Sequence, residues 1–129
     1  MSLQNPLGKA LGHGSAREGV SHWWWQRVTA VALAPLTIWF VWSLLRLPSL
    51  DLATVSLWIG SGWTPVFLLL LVWSVAMHSA LGMQVVIEDY VHAKGAQLAT
   101  LLAVNFLHAI IAVAGTYAVL RIAFTTGSF

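Results

Sequence analysis

The sequence contains no cysteine and few charged residues: six Lys or Arg and four Asp or Glu in 129 positions. Without cysteine the chain has no disulfide, no iron–sulfur ligand, no thiolate zinc site and no covalently attached c-type haem. Charged residues make up 8% of the chain, against about 25% in a soluble domain, which argues against a free soluble protein. Six scattered basic residues form no basic stripe, which argues against nucleic-acid binding. Any redox cofactor must be held by His, Met or Tyr, or by another subunit.

Apolar residues make up 59% of the chain, and three long runs, 28–45, 52–87 and 95–120, carry no charge. A bilayer crossing needs about 20 apolar residues. The second run contains the turn-forming segment 60–65 (GSGWTP), and Pro65 suits a first helical turn, so we place the second crossing after it. The sequence therefore predicts an all-α integral membrane protein with three transmembrane helices, at about 24–46, 65–90 and 96–121.

This assignment divides the chain into an N-terminal cytoplasmic segment 1–22, a three-helix membrane anchor domain 23–121 and a C-terminal tail 122–129. We read the first helix as retained, because its apolar span is longer than that of a usual signal peptide. Pro35 predicts a modest kink in it, and the segment 52–58 a short helix on the membrane surface. Basic residues favour the cytoplasmic side, so we expect the N-terminus inside and the C-terminus outside. Four of the six basic residues then lie inside: Lys9, Arg17, Arg27 and Lys94.

His78 lies in the middle of the second uncharged run, where a polar side chain usually faces protein, water or a cofactor. At about 100° per residue, Gly82 and Asp89 share a stripe of the helix with His78. A glycine one turn away leaves a recess that suits a haem ligated by His78; the alternative is a hydrogen bond to another helix. His108, three residues after Asn105, is the second-choice ligand, with interhelical hydrogen bonding as its alternative.

Asp89 and Tyr90 lie at the inner end of the same helix, about 18 Å along the axis from His78. A phenol beside a carboxylate at this depth can hydrogen-bond a quinone carbonyl; the alternative is an interfacial aromatic next to a solvated helix end. Arg27 closes the inner end of the first helix, either snorkelling or pairing with a haem propionate or a lipid phosphate. The remaining histidines lie outside the bilayer core and indicate nothing specific: His13, His22 and His92.

The run 78–83 (HSALGM), followed after five residues by Asp89-Tyr90-Val91, resembles the signature of succinate dehydrogenase hydrophobic membrane anchor subunits. The shared spacing is His-x3-Gly-x6-Asp-Tyr. The run 22–30 (HWWWQRVTA) resembles the segment that leads into the first helix of that family. The resemblance covers about residues 14–121.

The resemblance implies a membrane anchor subunit of succinate:quinone oxidoreductase in a bacterial inner membrane. Such a subunit pairs with a second anchor (cytochrome b) subunit, shares one haem b with it, and holds an iron–sulfur subunit and a flavoprotein subunit on the inner face. FAD and the iron–sulfur clusters belong to those partners, and ubiquinone is the substrate. The resemblance implies no bond-making catalytic residue here, but a site for each ligand: His78 as axial haem ligand, Gly82 beside the haem, Arg27 near its propionates, and Tyr90 with Asp89 at the quinone.

Three other functions compete with this one. The first is an anchor of a quinol:fumarate reductase, which runs the reaction in reverse. The second is a small transporter or channel subunit, against which stand the lack of an inverted repeat and of an intramembrane carboxylate. The third is an assembly protein without a cofactor, which would require His78, Gly82, Asp89 and Tyr90 to coincide by accident. Some family members also carry a basic residue where this chain has His92, so the charge around the quinone could differ.

Overall fold

The computed structural model describes the backbone of residues 16–126 and the side chains of residues 20–126. Within that range it contains four helices and no strand: α1 (Ala16–Leu45), α2 (Leu52–Ile59), α3 (Thr64–Tyr90) and α4 (Lys94–Thr126). Three of these are long and apolar enough to cross a membrane, over Val20–Leu45, Thr64–Tyr90 and Lys94–Thr126. The prediction of an all-α chain with three membrane spans is therefore confirmed.

The first and last helices extend beyond the predicted spans. Helix α1 begins at Ala16 rather than near residue 24 and continues through Pro35, and α4 continues to Thr126 rather than ending near 121. The spans were predicted from the apolar runs, whereas backbone hydrogen bonding continues past the last apolar residue. At the end of α4 the Thr126 hydroxyl donates to the carbonyl of Ile122 at 2.7 Å. The start of α1 and the end of α4 thus lie beyond the predicted spans, whereas α3 (Thr64–Tyr90) matches its predicted span 65–90 to within one residue.

Two arginines stack on tryptophan rings of α1: Arg27 lies within the helix, and Arg46 follows its last residue. The guanidinium carbon of Arg27 lies 5.4 Å from the centre of the Trp23 ring, and that of Arg46 lies 4.7 Å from the Trp42 ring. In each pair the tryptophan precedes the arginine by four residues, one helical turn. Cation–π attraction holds each charged head next to an aromatic ring of the kind that favours the headgroup region.

The short helix predicted after α1 is present, and it is capped by Asp51. The Asp51 carboxylate accepts hydrogen bonds from the Ser49 hydroxyl and from the backbone N–H of Thr54 at 3.0 Å. These bonds, that of Ser49 first, hold the pKa of Asp51 well below its usual range. Gly62 then adopts a φ of 49°, a left-handed conformation that suits glycine. It turns the chain into α3, which has Pro65 in its first turn as predicted.

Helix α3 is central and packs against both α1 and α4, while among the described residues α1 and α4 do not approach each other. Helices α3 and α4 approach each other closely at their seam: a Cβ added to Gly115 would lie 3.0 Å from Cγ1 of Val72. Across the same seam Trp73 donates to the Thr116 hydroxyl at 3.1 Å. At the other seam, Trp39 of α1 stacks edge-on against Phe67 at 5.0 Å. Helix α3 therefore takes part in both interfaces between the membrane-spanning helices, while α2 also packs against α4.

Candidate functional site

His78 lies at the α1–α3 interface, where it meets Thr29 of α1. The Nδ1 atom of His78 is 3.0 Å from the Thr29 hydroxyl oxygen. Thr29 is only 5% exposed, and its hydroxyl lies 2.8 Å from the carbonyl oxygen of Trp25 and 3.2 Å from that of Gln26. A hydroxyl has one proton to donate, and here both acceptors are carbonyls of the preceding helical turn. With that proton on one of the carbonyls, Thr29 accepts the remaining bond from Nδ1 of His78; the two roles depend on the tautomer of His78.

This contact is compatible with the tautomer of His78 that suits metal binding. When the Thr29 proton is on a carbonyl of its own helix, Nδ1 of His78 is the donor and Nε2 of the neutral imidazole keeps its lone pair. Nε2 makes no hydrogen bond with any residue that the structure describes. Histidines that bind metals commonly donate the second ring N–H to a nearby acceptor, which fixes both tautomer and ring orientation. In that tautomer Nε2 of His78 is available for a metal ion.

A cleft of about 340 Å³ opens beside His78, between α1 and α3. Its volume is near the lower end of the range for ligand pockets. Arg27 lies in its wall, and no carboxylate is among the described residues that line it. The cleft therefore brings the imidazole of His78 and the guanidinium of Arg27 together with no carboxylate in its described lining, a pair of groups that would suit a haem with its propionates. The lining consists of His22, Trp23, Gln26, Arg27, Ala30, His78 and Val85.

His108, the second-choice haem ligand, has both ring nitrogens occupied. Its Nδ1 donates to the carbonyl oxygen of Val104 at 2.8 Å, so its Nε2 accepts from the Ser79 hydroxyl at 3.0 Å. The bond to Ser79 joins α4 to α3, as interhelical hydrogen bonding predicts. His108 lies in the α3–α4 seam near Asn105 and is not among the residues that line the cleft. Of the two candidates, only His78 has a nitrogen free.

Gly82 faces α1 rather than open space. A Cβ added to it would have one neighbour within 4 Å, Nε2 of Gln26 at 3.8 Å. The recess predicted beside His78 is thus lined on one side by the Gln26 side chain. Whether Gly82 also borders a haem edge stays a prediction.

Tyr90 and Asp89 end α3, and both are exposed. Tyr90 is 80% exposed, and no described residue hydrogen-bonds its hydroxyl. The described residues likewise leave the Asp89 carboxylate without a partner, whereas the neighbouring Glu88 accepts from Gln84 at 2.7 Å. His92 contacts this helix end through Nδ1, 3.2 Å from the carbonyl oxygen of Tyr90. The structure therefore leaves a phenol and a carboxylate free at one helix end, separate from the cleft.

Comparison with known sequences places this site in a family. The sequence profile of the succinate dehydrogenase/fumarate reductase transmembrane subunits matches residues 1–115. Three relatives are named succinate dehydrogenase hydrophobic membrane anchor subunit. The one from Paracoccus denitrificans is 32% identical over 94% of this chain and 93% of its own. That from Rickettsia bellii is 32% identical over 86% and 89%, and that from Rickettsia conorii is 39% identical over 64% and 67%.

The chain belongs to the succinate dehydrogenase/fumarate reductase transmembrane subunits. The matched residues include every candidate of this anchor-family site, from Arg27 through His78 and Gly82 to Asp89 and Tyr90. The match confirms the family that the His-x3-Gly-x6-Asp-Tyr spacing indicated. The chain is a multi-pass membrane protein and a subunit of such an enzyme. Its long apolar helices anchor it in the membrane.

Sequence reasoning missed three residues of this anchor subunit: His22, Gln26 and Thr29. Their spacing of four and then three residues places them on one face of α1, the face that meets α3. His22 was assigned to the segment outside the membrane helix, but α1 begins six residues before it. A polar stripe at i, i+4 and i+7 in an otherwise apolar helix was the signal that could have identified them.

Proposed function

We propose that this chain anchors the catalytic subunits of a succinate:quinone oxidoreductase in the membrane, co-ligates haem b through His78 and forms part of the ubiquinone site. The observation that carries the haem assignment is the hydrogen bond from Nδ1 of His78 to the Thr29 hydroxyl. In the tautomer that donates from Nδ1, Nε2 of His78 is unprotonated, and His78 lines a cleft that also contains Arg27. A second ligand would come from the partner cytochrome b subunit.

Within the cleft, each residue has a distinct part in binding. Nε2 of His78 would ligate the iron, and Thr29 would hold the imidazole in the correct tautomer and orientation. Arg27 would offset the negative charge of the propionates. When bound, haem b would supply a one-electron redox centre.

At the inner end of α3, Tyr90 and Asp89 bind the quinone. Electrons from succinate oxidation reach this point through the flavin and iron–sulfur clusters of the partner subunits. Two electrons and two protons convert ubiquinone to ubiquinol. The Tyr90 hydroxyl donates to a quinone carbonyl and so polarises it, and the Asp89 carboxylate stabilises the hydroxyl next to it. Their exposure, with no partner among the described residues, supports a role that another subunit completes.

The proposed location is a bacterial inner membrane, with the N-terminus in the cytoplasm and the C-terminus in the periplasm. Four of the six basic residues then lie on the cytoplasmic side, as the positive-inside rule favours. The same orientation puts Tyr90 and the α3–α4 loop on the side where the iron–sulfur and flavoprotein subunits bind. The partners are thus the second anchor, these two soluble subunits and membrane lipid.

An anchor of a quinol:fumarate reductase is the second candidate, because the matching family description includes both enzymes. The two functions differ in direction. Steady-state rates with succinate plus ubiquinone, compared with fumarate plus reduced quinone, in the same purified complex distinguish them.

The test of the haem assignment is a reduced-minus-oxidised optical spectrum of the purified complex. We expect a b-type α-band in the wild type, its loss in His78→Ala, and its retention in His108→Ala. All three helices should still insert in His78→Ala, since an apolar change at mid-depth favours insertion. A normal bis-histidine spectrum in His78→Ala, with loss in His108→Ala, would show that the ligand is assigned to the wrong helix.

A further inference from the structure

The side chain of Asn105 lies within the membrane span of α4 and has no hydrogen-bond partner among the described residues. Asn105 follows Lys94, where α4 begins, by eleven residues, about 16 Å along the axis. It belongs to the uncharged run 95–120 and is exposed on the surface of this chain. Lipid chains neither donate nor accept hydrogen bonds, so an unpaired amide at this depth is costly. Such a residue usually faces protein, water or a cofactor.

Asn105 borders a shallow cavity of about 160 Å³ over the α3–α4 seam, which we call the Asn105 surface. The two other polar side chains there are already engaged. Trp73 donates to Thr116, and His108 uses both ring nitrogens, one of them toward Ser79. No described group at this surface is therefore left to pair with the Asn105 amide. Four alanines line the surface beside it: Ala76, Ala80, Ala109 and Ala112.

The chemistry of the amide narrows what covers this surface. A carboxamide both accepts and donates hydrogen bonds, whereas an acyl chain does neither. The cavity is smaller than the roughly 300 Å³ at which ligand pockets begin, which argues against a quinone or another cofactor. A trapped water molecule needs about two to four polar partners, and Asn105 is the one such group left in the described lining. A membrane helix with a hydroxyl or carboxamide side chain supplies the missing bonds, and the small alanines let it approach closely.

Met77 connects the Asn105 surface to the cleft at His78. Met77 lines the Asn105 surface, and His78, the next residue of α3, lines the cleft. The Met77 side chain is 40% exposed and, at about 100° per residue, points away from His78 and Ser79, which face α1 and α4. One helix packed along Met77 would therefore cover the Asn105 surface and reach the edge of the cleft. In the proposed function the second haem ligand comes from the partner anchor subunit, which puts that subunit at this edge.

We propose that a membrane-spanning helix of the partner anchor subunit packs across Met77 onto the Asn105 surface, where its hydroxyl or carboxamide side chain hydrogen-bonds Asn105. The inference rests on the proposed function, because it requires the second anchor subunit. It gives α4 a part in assembly that neither the haem cleft nor the quinone site assigns to it. Because hydrogen bonds are directional, this bond also fixes how α4 is rotated toward the partner helix.

Photo-crosslinking in the assembled complex tests which molecule covers the surface. p-Benzoylphenylalanine replaces Leu102, which lies one turn before Asn105 on the same flank of α4, or the control Leu107, about 200° around the helix from Asn105. The two leucines are similarly exposed, at 50% and 54%. After irradiation of native membranes we expect an adduct with the partner anchor subunit from position 102, and adducts with lipid alone from position 107. Lipid alone, or a second copy of this chain, at position 102 overturns the inference.

Substitutions of Asn105 test the hydrogen bond itself in the purified four-subunit complex. Asn105→Leu removes donor and acceptor, and it favours membrane insertion. We expect the partner anchor subunit to dissociate in mild detergent about three- to tenfold faster than in the wild type, as the loss of one hydrogen bond between membrane helices implies. Asn105→Gln keeps the carboxamide and should remove most of this difference. Equal rates for wild type and Asn105→Leu overturn the proposed bond.

If Asn105→Leu does not assemble, Asn105→Ser and Asn105→Ala decide, since serine keeps a hydrogen-bonding group and alanine does not. Faster dissociation in Asn105→Ala than in Asn105→Ser supports the bond, and equal rates overturn it. Neither experiment depends on haem or quinone, so failure of the inference is distinguishable from failure of the proposed function. A complex that lacks haem b but gives the adduct at position 102 overturns the haem assignment and supports the inference. A haem-containing complex that gives lipid adducts alone there overturns only the inference.

Discussion

Thr29→Val tests the hydrogen bond on which the haem assignment depends. Valine has nearly the same shape as threonine, so it fills the same buried position, which is 5% exposed, but it cannot accept a hydrogen bond. The two carbonyls to which the Thr29 hydroxyl donates keep their helical N–H partners. The loss therefore falls on Nδ1 of His78, which has no other partner among the described residues.

The magnitude follows from leaving that N–H unsatisfied. A buried donor without an acceptor costs about 1–3 kcal/mol, and the imidazole can avoid this cost only by changing tautomer or turning away. Either response competes with iron ligation through Nε2. Removing the hydrogen-bond partner of a metal-binding histidine typically lowers metal affinity by about 10-fold to 100-fold. We expect a loss of haem affinity in that range.

Haem content per complex and the midpoint potential measure this effect, with Thr29→Ser as the control that keeps the hydroxyl. An acceptor on Nδ1–H makes the histidine a stronger donor to the iron, so its loss should raise the potential. If Thr29→Val and Thr29→Ser have the same haem content and potential as the wild type, the argument from the tautomer of His78 is refuted.

Three further perturbations test other parts of the molecule. Tyr90→Phe should lower succinate–quinone activity several-fold, as the loss of one hydrogen bond implies. Activity with an acceptor that takes electrons before the quinone site should stay constant. If the ratio of these two activities is unchanged, Tyr90 is an interfacial aromatic. Gly115→Ala places a Cβ 3.0 Å from Cγ1 of Val72, so it should lower the Tm of the complex, and Val72→Ala should restore it; absence of rescue would contradict the close seam. Asp51→Ala should lower the Tm more than Asp51→Asn, which keeps an N-cap. The pKa of Asp51 is lowered from 3.8, so the carboxylate should stabilise the fold equally from pH 8 to pH 5 and lose this effect only as the pH falls below about 4. A Tm difference between Asp51→Ala and wild type that already shrinks between pH 8 and pH 5 would contradict this expectation.

The membrane spans were predictable because burial in lipid imposes a length and an apolar composition that one sequence displays directly. The helix ends were not, because helical hydrogen bonding continues past the apolar run, as it does from Ala16 to Val20. The N-cap of α2 was also missed, although Asp51 before Leu52 is a typical start signal. A helix cap depends on a few neighbouring residues, so a cap such as Asp51 can be predicted from the sequence alone.

The periodicity of a single helix could not predict which residue of another helix meets His78. The stripe through His78 and Gly82 was placed correctly on α3, but the residue opposite it depends on how α1 is rotated and shifted against α3. That register sets Thr29 against His78 and Gln26 against Gly82. It arises from the packing of two helices, neither of which alone encodes the match. The same packing brought His22 into the cleft.

The two arginine–tryptophan stacks of α1 also define the length of helix that lies between the two membrane surfaces. Trp23 and Trp42 are nineteen residues apart, which corresponds to about 28 Å of helix and nearly equals the hydrocarbon thickness of about 30 Å. Helix α4, with 33 residues, is about 50 Å long and can adapt by tilting or by projecting from the bilayer. Helix α1, with 30 residues, is also longer than the membrane, but its two ring–cation anchors fix which part of it lies in the bilayer. In a thicker bilayer the mismatch would act on α1 first, and hence on the α1–α3 contact between Thr29 and His78.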